Sequence, residues 1–252
     1  MSERDPRGGG RHAPDYPDRA PERRRPWPRA AIWGGAIVVA AGVGVGAGVG
    51  LSGSSSGSGS LSSLSSLGPL AADPPQGPLG PEDVPIPSVP ALVAPSAATA
   101  GQPIDGIDCD PHEQLAYHIH THLTIFVNGQ QRQVPAGIGI PDAVAQPAKG
   151  GSFIYSGKCF YFLHTHADDG IIHTESPVVK TYTLGEFFDE WQQPLSSTQV
   201  GPAKGKVTAI VNGQVFNGDP RAIPLQSHED VTLEVGTPLL APESINWSIT
   251  GL

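Results

Sequence analysis

The segment HIHTHLTIFV, residues 118–127, decides how this chain is read. Its upstream half places a histidine at every second residue, and Leu123, Thr124 and Ile125 continue the alternation before the apolar Phe126 and Val127. That period of two belongs to a strand with one face turned inward. The run stops at Asn128-Gly129, a dipeptide that tolerates positive φ at both positions and so favours a two-residue hairpin. Working outward, residues 153–155, 159–167 (CFYFLHTHA) and 171–175 (IIHTE) predict strands, with Asp169-Gly170 as the turn between the last two. Residues 206–211 (KVTAIV) run through a second Asn-Gly, at 212–213, into 214–216. Residues 230–235 (DVTLEV) and 245–249 (INWSI) predict two more strands. LTIFVNGQ at 123–130 and VTAIVNGQ at 207–214 agree at five of eight positions, which reads as two similar hairpins.

One helix is expected. Thr183-Leu184-Gly185-Glu186 has the form of a capping box, and Leu184, Phe187, Phe188 and Trp191 recur on one face before Pro194. The fold class is therefore mainly β, built of antiparallel hairpins, with one amphipathic helix packed on one side.

The histidines carry the chemistry. His118, His120 and His122 share one face of their strand, and His164 and His166 share one face of theirs. Counting outward from a two-residue turn at Asp169-Gly170 sets His166 opposite His173 and His164 opposite Glu175. Directly opposed β-carbons lie about 5 Å apart, close enough for imidazoles to converge on an ion with bonds of about 2.0–2.1 Å. A loop longer by one residue would instead send His173 to the other face. A lone strand histidine is ordinarily a surface or hydrogen-bonded core residue. Six crowded neutral imidazoles without an ion would be short of hydrogen-bond partners, and protonated ones would repel. The expected metal ligands are His164, His166 and His173, then His120 and His122, then His118 at the strand edge, with Glu175 as ligand or general base. Imidazole and carboxylate donors suit Zn²⁺ or Cu²⁺. His112 and His228, in DPHEQ and QSHED, read as surface residues. Cys109 and Cys159 are the two cysteines. An even pair outside the cytoplasm is expected to form a disulfide.

The first hundred residues have a different composition. Residues 1–29 carry eight arginines against five acids and read as a disordered basic tail. Residues 30–51 (AAIWGGAIVVAAGVGVGAGVGL) are uncharged, and as a helix of about 33 Å would cross a bilayer. Arg23, Arg24, Arg25 and Arg29 just before that span place the N-terminus in the cytoplasm and the rest of the chain outside. A cleaved signal peptide is the competing reading; the long basic region and the lack of an A-x-A site speak for an uncleaved single-pass anchor in the cell membrane. Residues 52–103, Gly/Ser-rich and then Pro-rich, read as a disordered linker holding the domain about 40 Å from the membrane. Residues 104–252 are then the extracytoplasmic domain. After residue 29 the chain has seven Lys and Arg against nineteen Asp and Glu. That excess of acid argues against a nucleic-acid partner and is compatible with attracting cations.

Three strings, VPAGIGIP at 134–141, LHTHADDGIIHTESP at 163–177 and YTLGEFFDEW at 182–191, resemble those of an uncharacterised family of secreted or membrane-anchored His-rich bacterial proteins. The resemblance covers most of residues 110–240 and implies no activity. HIH at 118–120 with one cysteine pair is superficially similar to copper–zinc superoxide dismutase, but that family's Gly-rich signatures and later ligand spacings are missing. HTHADDGIIHTE at 164–175 is similar to a cupin H-x-H…E motif without its Pro-Gly partner motif. No nucleophile triad or phosphate loop is visible. Three classes remain open: a metal-binding module, a metalloenzyme of cupin-like or superoxide-dismutase-like type, and a structural or interaction ectodomain without metal.

Overall fold

The computed structural model describes residues 59–94 and 101–252. The basic tail, the apolar span at 30–51 and the start of the linker lie outside the described residues. Among the described residues no helix is long and apolar enough to cross a membrane.

The alternating segment forms the Tyr117–Val127 strand, near the middle of an eight-stranded sheet. Both Asn-Gly dipeptides make the expected turns. Asn128 and Gly129 have φ of 50° and 72° and join Val127 to its partner Gln130, and Asn212 and Gly213, at 47° and 72°, join Val211 to Gln214. The two similar hairpins flank the Glu229–Val235 strand, which runs antiparallel to Val207–Val211 and parallel to Tyr117–Val127. The sheet is thus antiparallel except at that one pairing. On its other edge the first half of Tyr117–Val127 pairs with Ile171–Ser176, which in turn pairs with Leu163–His164.

The two faces of this sheet are covered differently. Leu123, Ile125, Ile172, Val231 and Leu233 point to one side and pack with the helix Leu184–Glu190 in a single apolar core. The helix is capped as its sequence requires: the Glu186 amide donates to Thr183 Oγ1 (3.3 Å) and the Thr183 amide to Glu186 Oε2 (2.7 Å). Such a box stabilises the first turn by about 1 kcal/mol. Leu184, Phe187, Phe188 and Trp191 are all fully buried.

The opposite face carries His118, His120, His122 and Thr124, with His173, Glu175, Asp230, Thr232 and Glu234 on the neighbouring strands. Apart from His118 these are buried too. Their cover is the finding that departs furthest from the sequence reading. Residues 59–94, expected to form a free linker, lie on the domain. Ser60–Ser63 pairs with Gln214–Asn217, Ala71 bridges Leu240, and the Leu92 amide donates to Gln133 O (2.9 Å). Val84 is fully buried with Ile171 and Ile245 beside the histidines. The Gly/Ser-rich end is held by backbone pairing at the sheet edge, whereas Val84 and Leu92, with the half-buried Ile86 and Val89, bury apolar surface that offsets chain entropy.

Two strand predictions fail for local reasons. Residues 245–249 form a turn, because the Asn246 side chain accepts from the Ser248 amide (3.2 Å) and competes with strand pairing. Residues 159–167 break into Phe160–Tyr161 and Leu163–His164. Beyond His164 the chain leaves the eight-stranded sheet and is held by a neighbouring loop and by the Gly151–Ser156 strand instead: Gly137 donates to Thr165 O, Thr165 to Ile138 O and Ile154 to His166 O. Cys109 and Cys159 form the expected disulfide, joining the paired segments Cys109–Asp110 and Phe160–Tyr161.

Candidate metal centre

The turn expected at Asp169-Gly170 is longer than two residues, and six residues separate Leu163–His164 from Ile171–Ser176. His164 therefore faces His173, where counting from a tight turn placed His166. The slip is two residues, an even number, so His173 keeps its face. Across the other interface His120 faces His173 and His118 faces Glu175. The central strand Ile171–Ser176 thus presents His173 and Glu175, with a histidine arm on each side.

His166 reaches the site from a bend. The loop before it is seated by Gly139, at φ 70°, where an added Cβ would lie 2.3 Å from Leu163 O. Only glycine permits that approach. The Tyr161 amide donates to Gly139 O (2.9 Å), fixing the segment that orients His164.

His164 Nδ1 lies 2.7 Å from Tyr161 O, and His166 Nδ1 lies 2.5 Å from Ile154 O. A carbonyl only accepts, so each Nδ1 carries the proton and each Nε2 is left with a lone pair. These two Nε2 atoms are 3.0 Å apart. Burial, with the neighbouring His173, lowers His164 to a pKa of about 4; burial, with His164 and His173, lowers His166 to about 2. At neutral pH neither supplies a proton for the gap. Two lone pairs so arranged repel unless a cation lies between them. Nitrogens sharing a tetrahedral ion sit about 3.3 Å apart.

His173 has the opposite electrostatics. Burial alone would lower it, but hydrogen bonds with Glu175 and Glu82, and their charges, raise it to about 9. Its Nε2 lies 2.8 Å from Glu82 Oε1 and its Nδ1 3.4 Å from Glu175 Oε1. Burial opposes the ionisation of Glu175, yet hydrogen bonds from His118 and His173 hold its carboxyl well below the usual range. Glu175 Oε1 is 3.1 Å from His118 Nε2 and its Oε2 is 3.8 Å from His164 Nε2. His120 is lowered to about 3 by burial and by His173 and His118, and its buried Nε2 has no hydrogen-bond partner. Phe153 stacks on His166, with ring planes 5° apart.

This buried His/Glu cluster can hold a metal ion. His164, His166, His173 and Glu175 offer ligand atoms all within 4.8 Å of one another, and His118, His120 and His173 form a second such group. His122, expected among the ligands, belongs to neither. It is fully buried further along the strand, its Nε2 donating to Asp169 O (3.1 Å) and its Nδ1 3.9 Å from Asp230 Oδ1. His112 and His228 are exposed, as their turn contexts suggested. Two contributors escaped the sequence reading: Glu82, behind His173, and Glu113, whose Oε1 is 3.5 Å from His166 Nε2. Apolar residues around Glu82 were the signal that its segment is anchored; nothing local marks Glu113.

No family model, no curated protein and no solved structure matches this chain.

Proposed function

We propose that this chain is a membrane-anchored, extracytoplasmic transition-metal-binding protein. The observation that carries the reading is the pair of buried lone pairs on His164 and His166, 3.0 Å apart, with both Nδ1 protons committed to backbone carbonyls. His164, His166, His173 and Glu175 bind the ion. Glu82 orients His173 from behind, the carboxylate–histidine–metal relay that fixes a ring and raises its basicity. The donors are imidazole and carboxylate; both cysteines are in the disulfide and the chain's one methionine is Met1. That set suits Zn²⁺ or Cu²⁺. The disulfide is in keeping with an oxidising compartment, and so with residues 30–51 as an anchor whose basic flank stays in the cytoplasm.

A cavity of about 450 Å³ bordered by His118, His120 and His173 supports a second reading, a metalloenzyme with an open coordination position. The test common to both is metal analysis of the full chain, purified in detergent and loaded with Zn²⁺ or Cu²⁺. The chain should retain metal through gel filtration, and the double variant His164→Ala, His166→Ala should lose at least one ion. If the native chain retains none, both readings fail and a metal-free structural ectodomain is left.

A further inference from the structure

The ligand atoms fall into two groups that share only His173. The sheet explains the division. His120, His173 and His164 stand side by side on three successive strands, so the outer two are separated by two strand spacings, about 10 Å of backbone. Ligands of a single ion bound at 2.0–2.1 Å end within about 4.2 Å of one another, so a group whose donors lie within 4.8 Å needs only small adjustments, and neither of the two groups contains both outer pairs. His118 and His120 on one side, and His164 and His166 on the other, are two separate arms. The ring of His173 lies 4.5 Å from that of His120 and 4.5 Å from that of His166.

Glu175 joins the arms. One of its oxygens approaches His118 (3.1 Å) and the other His164 (3.8 Å). A carboxylate that divides its oxygens in this way can span two ions about 3.5–4 Å apart, the separation of two-metal sites. Charge is consistent with that load. Glu82 lies against His173 and Glu113 beside His166, so three carboxylates surround the cluster.

We propose that this face of the sheet holds two metal ions bridged by Glu175, the first on His164 and His166, the second on His118 and His120, with His173 between them. The proposal rests on the metal-binding reading above and adds the second site. The two sites differ in access. His164 and His166 are sealed, whereas His118 has 36 % of its side chain exposed and, with His120, borders the 450 Å³ cavity beside Phe153 and Tyr155. The second ion therefore has room for water or a small exogenous ligand and exchanges faster than the first.

The test is stoichiometry on the full chain in detergent, using Zn²⁺ alone and then Cu²⁺ alone. The native chain should retain two ions, and His118→Ala, His120→Ala one. Brief exposure to a chelator should remove one ion of the two first. With Cu²⁺, magnetic coupling across the bridge should suppress the native paramagnetic resonance signal, and the His118→Ala, His120→Ala variant should show a full signal from one isolated ion. A misfolded variant is recognised by its circular dichroism, and the native chain's coupling then decides. One ion per native chain with an uncoupled signal would overturn the two-ion proposal and leave the metal-binding reading standing. No retained ion would overturn both.

Discussion

The two faces of the central sheet are buried alike and built on opposite principles. On the helix side, Leu123, Ile125 and Leu233 meet Phe187, Phe188 and Trp191, and burial alone is favourable. On the other side, His120, His164, His166, His173 and Glu175 are buried just as deeply, at 0–7 % exposure, although burying such groups is costly unless each is paired. The first face stabilises the fold by itself. The second gathers buried imidazoles and carboxylates, several of their atoms without a partner, in groups that can hold a metal ion.

That contrast can be broken most forcefully from the apolar side. Phe187→Ala should cost about 3–5 kcal/mol in unfolding free energy, measured by urea denaturation, because a fully buried ring leaves a cavity in a close-packed core. Metal content of the remaining folded protein should be unchanged. If metal uptake fell in proportion, the two faces would be coupled and the contrast too sharply drawn.

Metal loading should act on the other face alone. Zn²⁺ at a hundredfold excess over its dissociation constant should stabilise the native chain by about 2.7 kcal/mol, read as a rise in unfolding temperature. The His164→Ala, His166→Ala variant should show a much smaller rise. An equal rise in both would mean that the ion binds elsewhere.

A finer test removes the residue behind the ligand. Glu82→Gln should weaken metal binding by about 10–100-fold without removing a donor atom. It also has a pH signature in the metal-free chain. His173 is held to a folded pKa of about 9, against about 6.5 when unfolded, so its contribution to stability is complete below pH 6.5 and is lost as pH rises through 9. Glu82→Gln should therefore be destabilising below pH 6.5 and nearly neutral above pH 9. A cost independent of pH would show that Glu82 merely fills space.

The smallest effect is the most diagnostic. His166→Phe in the metal-free chain removes one of two opposed lone pairs and leaves an aromatic ring that can still stack on Phe153. It also removes the Nδ1–H that donates to Ile154 O, which costs about 1–3 kcal/mol, so the lone-pair repulsion relieved should hold the net loss to about 1 kcal/mol. A loss of several kcal/mol would show that His166 is a satisfied structural residue.

Much of this was legible beforehand because it is local. Alternation in 118–127 assigned each side chain to a face, both Asn-Gly pairs fixed turns, and Thr183 with Glu186 marked the helix start. The histidine register was only half legible. The sequence suggested a tight turn at Asp169-Gly170, but residues 165–168 follow the loop at 136–138 and the Ile154 strand, and that contact is invisible to any local rule. His173 remained on its face because the slip was even. His122 shares the face of its neighbours yet is diverted by Asp169 O and Asp230, groups distant in sequence. Glu82 lies ninety-one residues from the histidine it supports, inside a stretch whose prolines suggested a spacer.

By itself, then, the sequence determined periodicity: which histidines share a face, where the chain turns, where the helix is capped, and that the cysteines pair. The tertiary structure alone decided which imidazoles meet, that Glu175 stands between two arms of them, and that an upstream acid closes the site from behind. The physical reason is range. Side-chain direction follows from neighbouring φ and ψ, whereas convergence of donors to within an ion's reach depends on the register of strands brought together by contacts far apart along the chain.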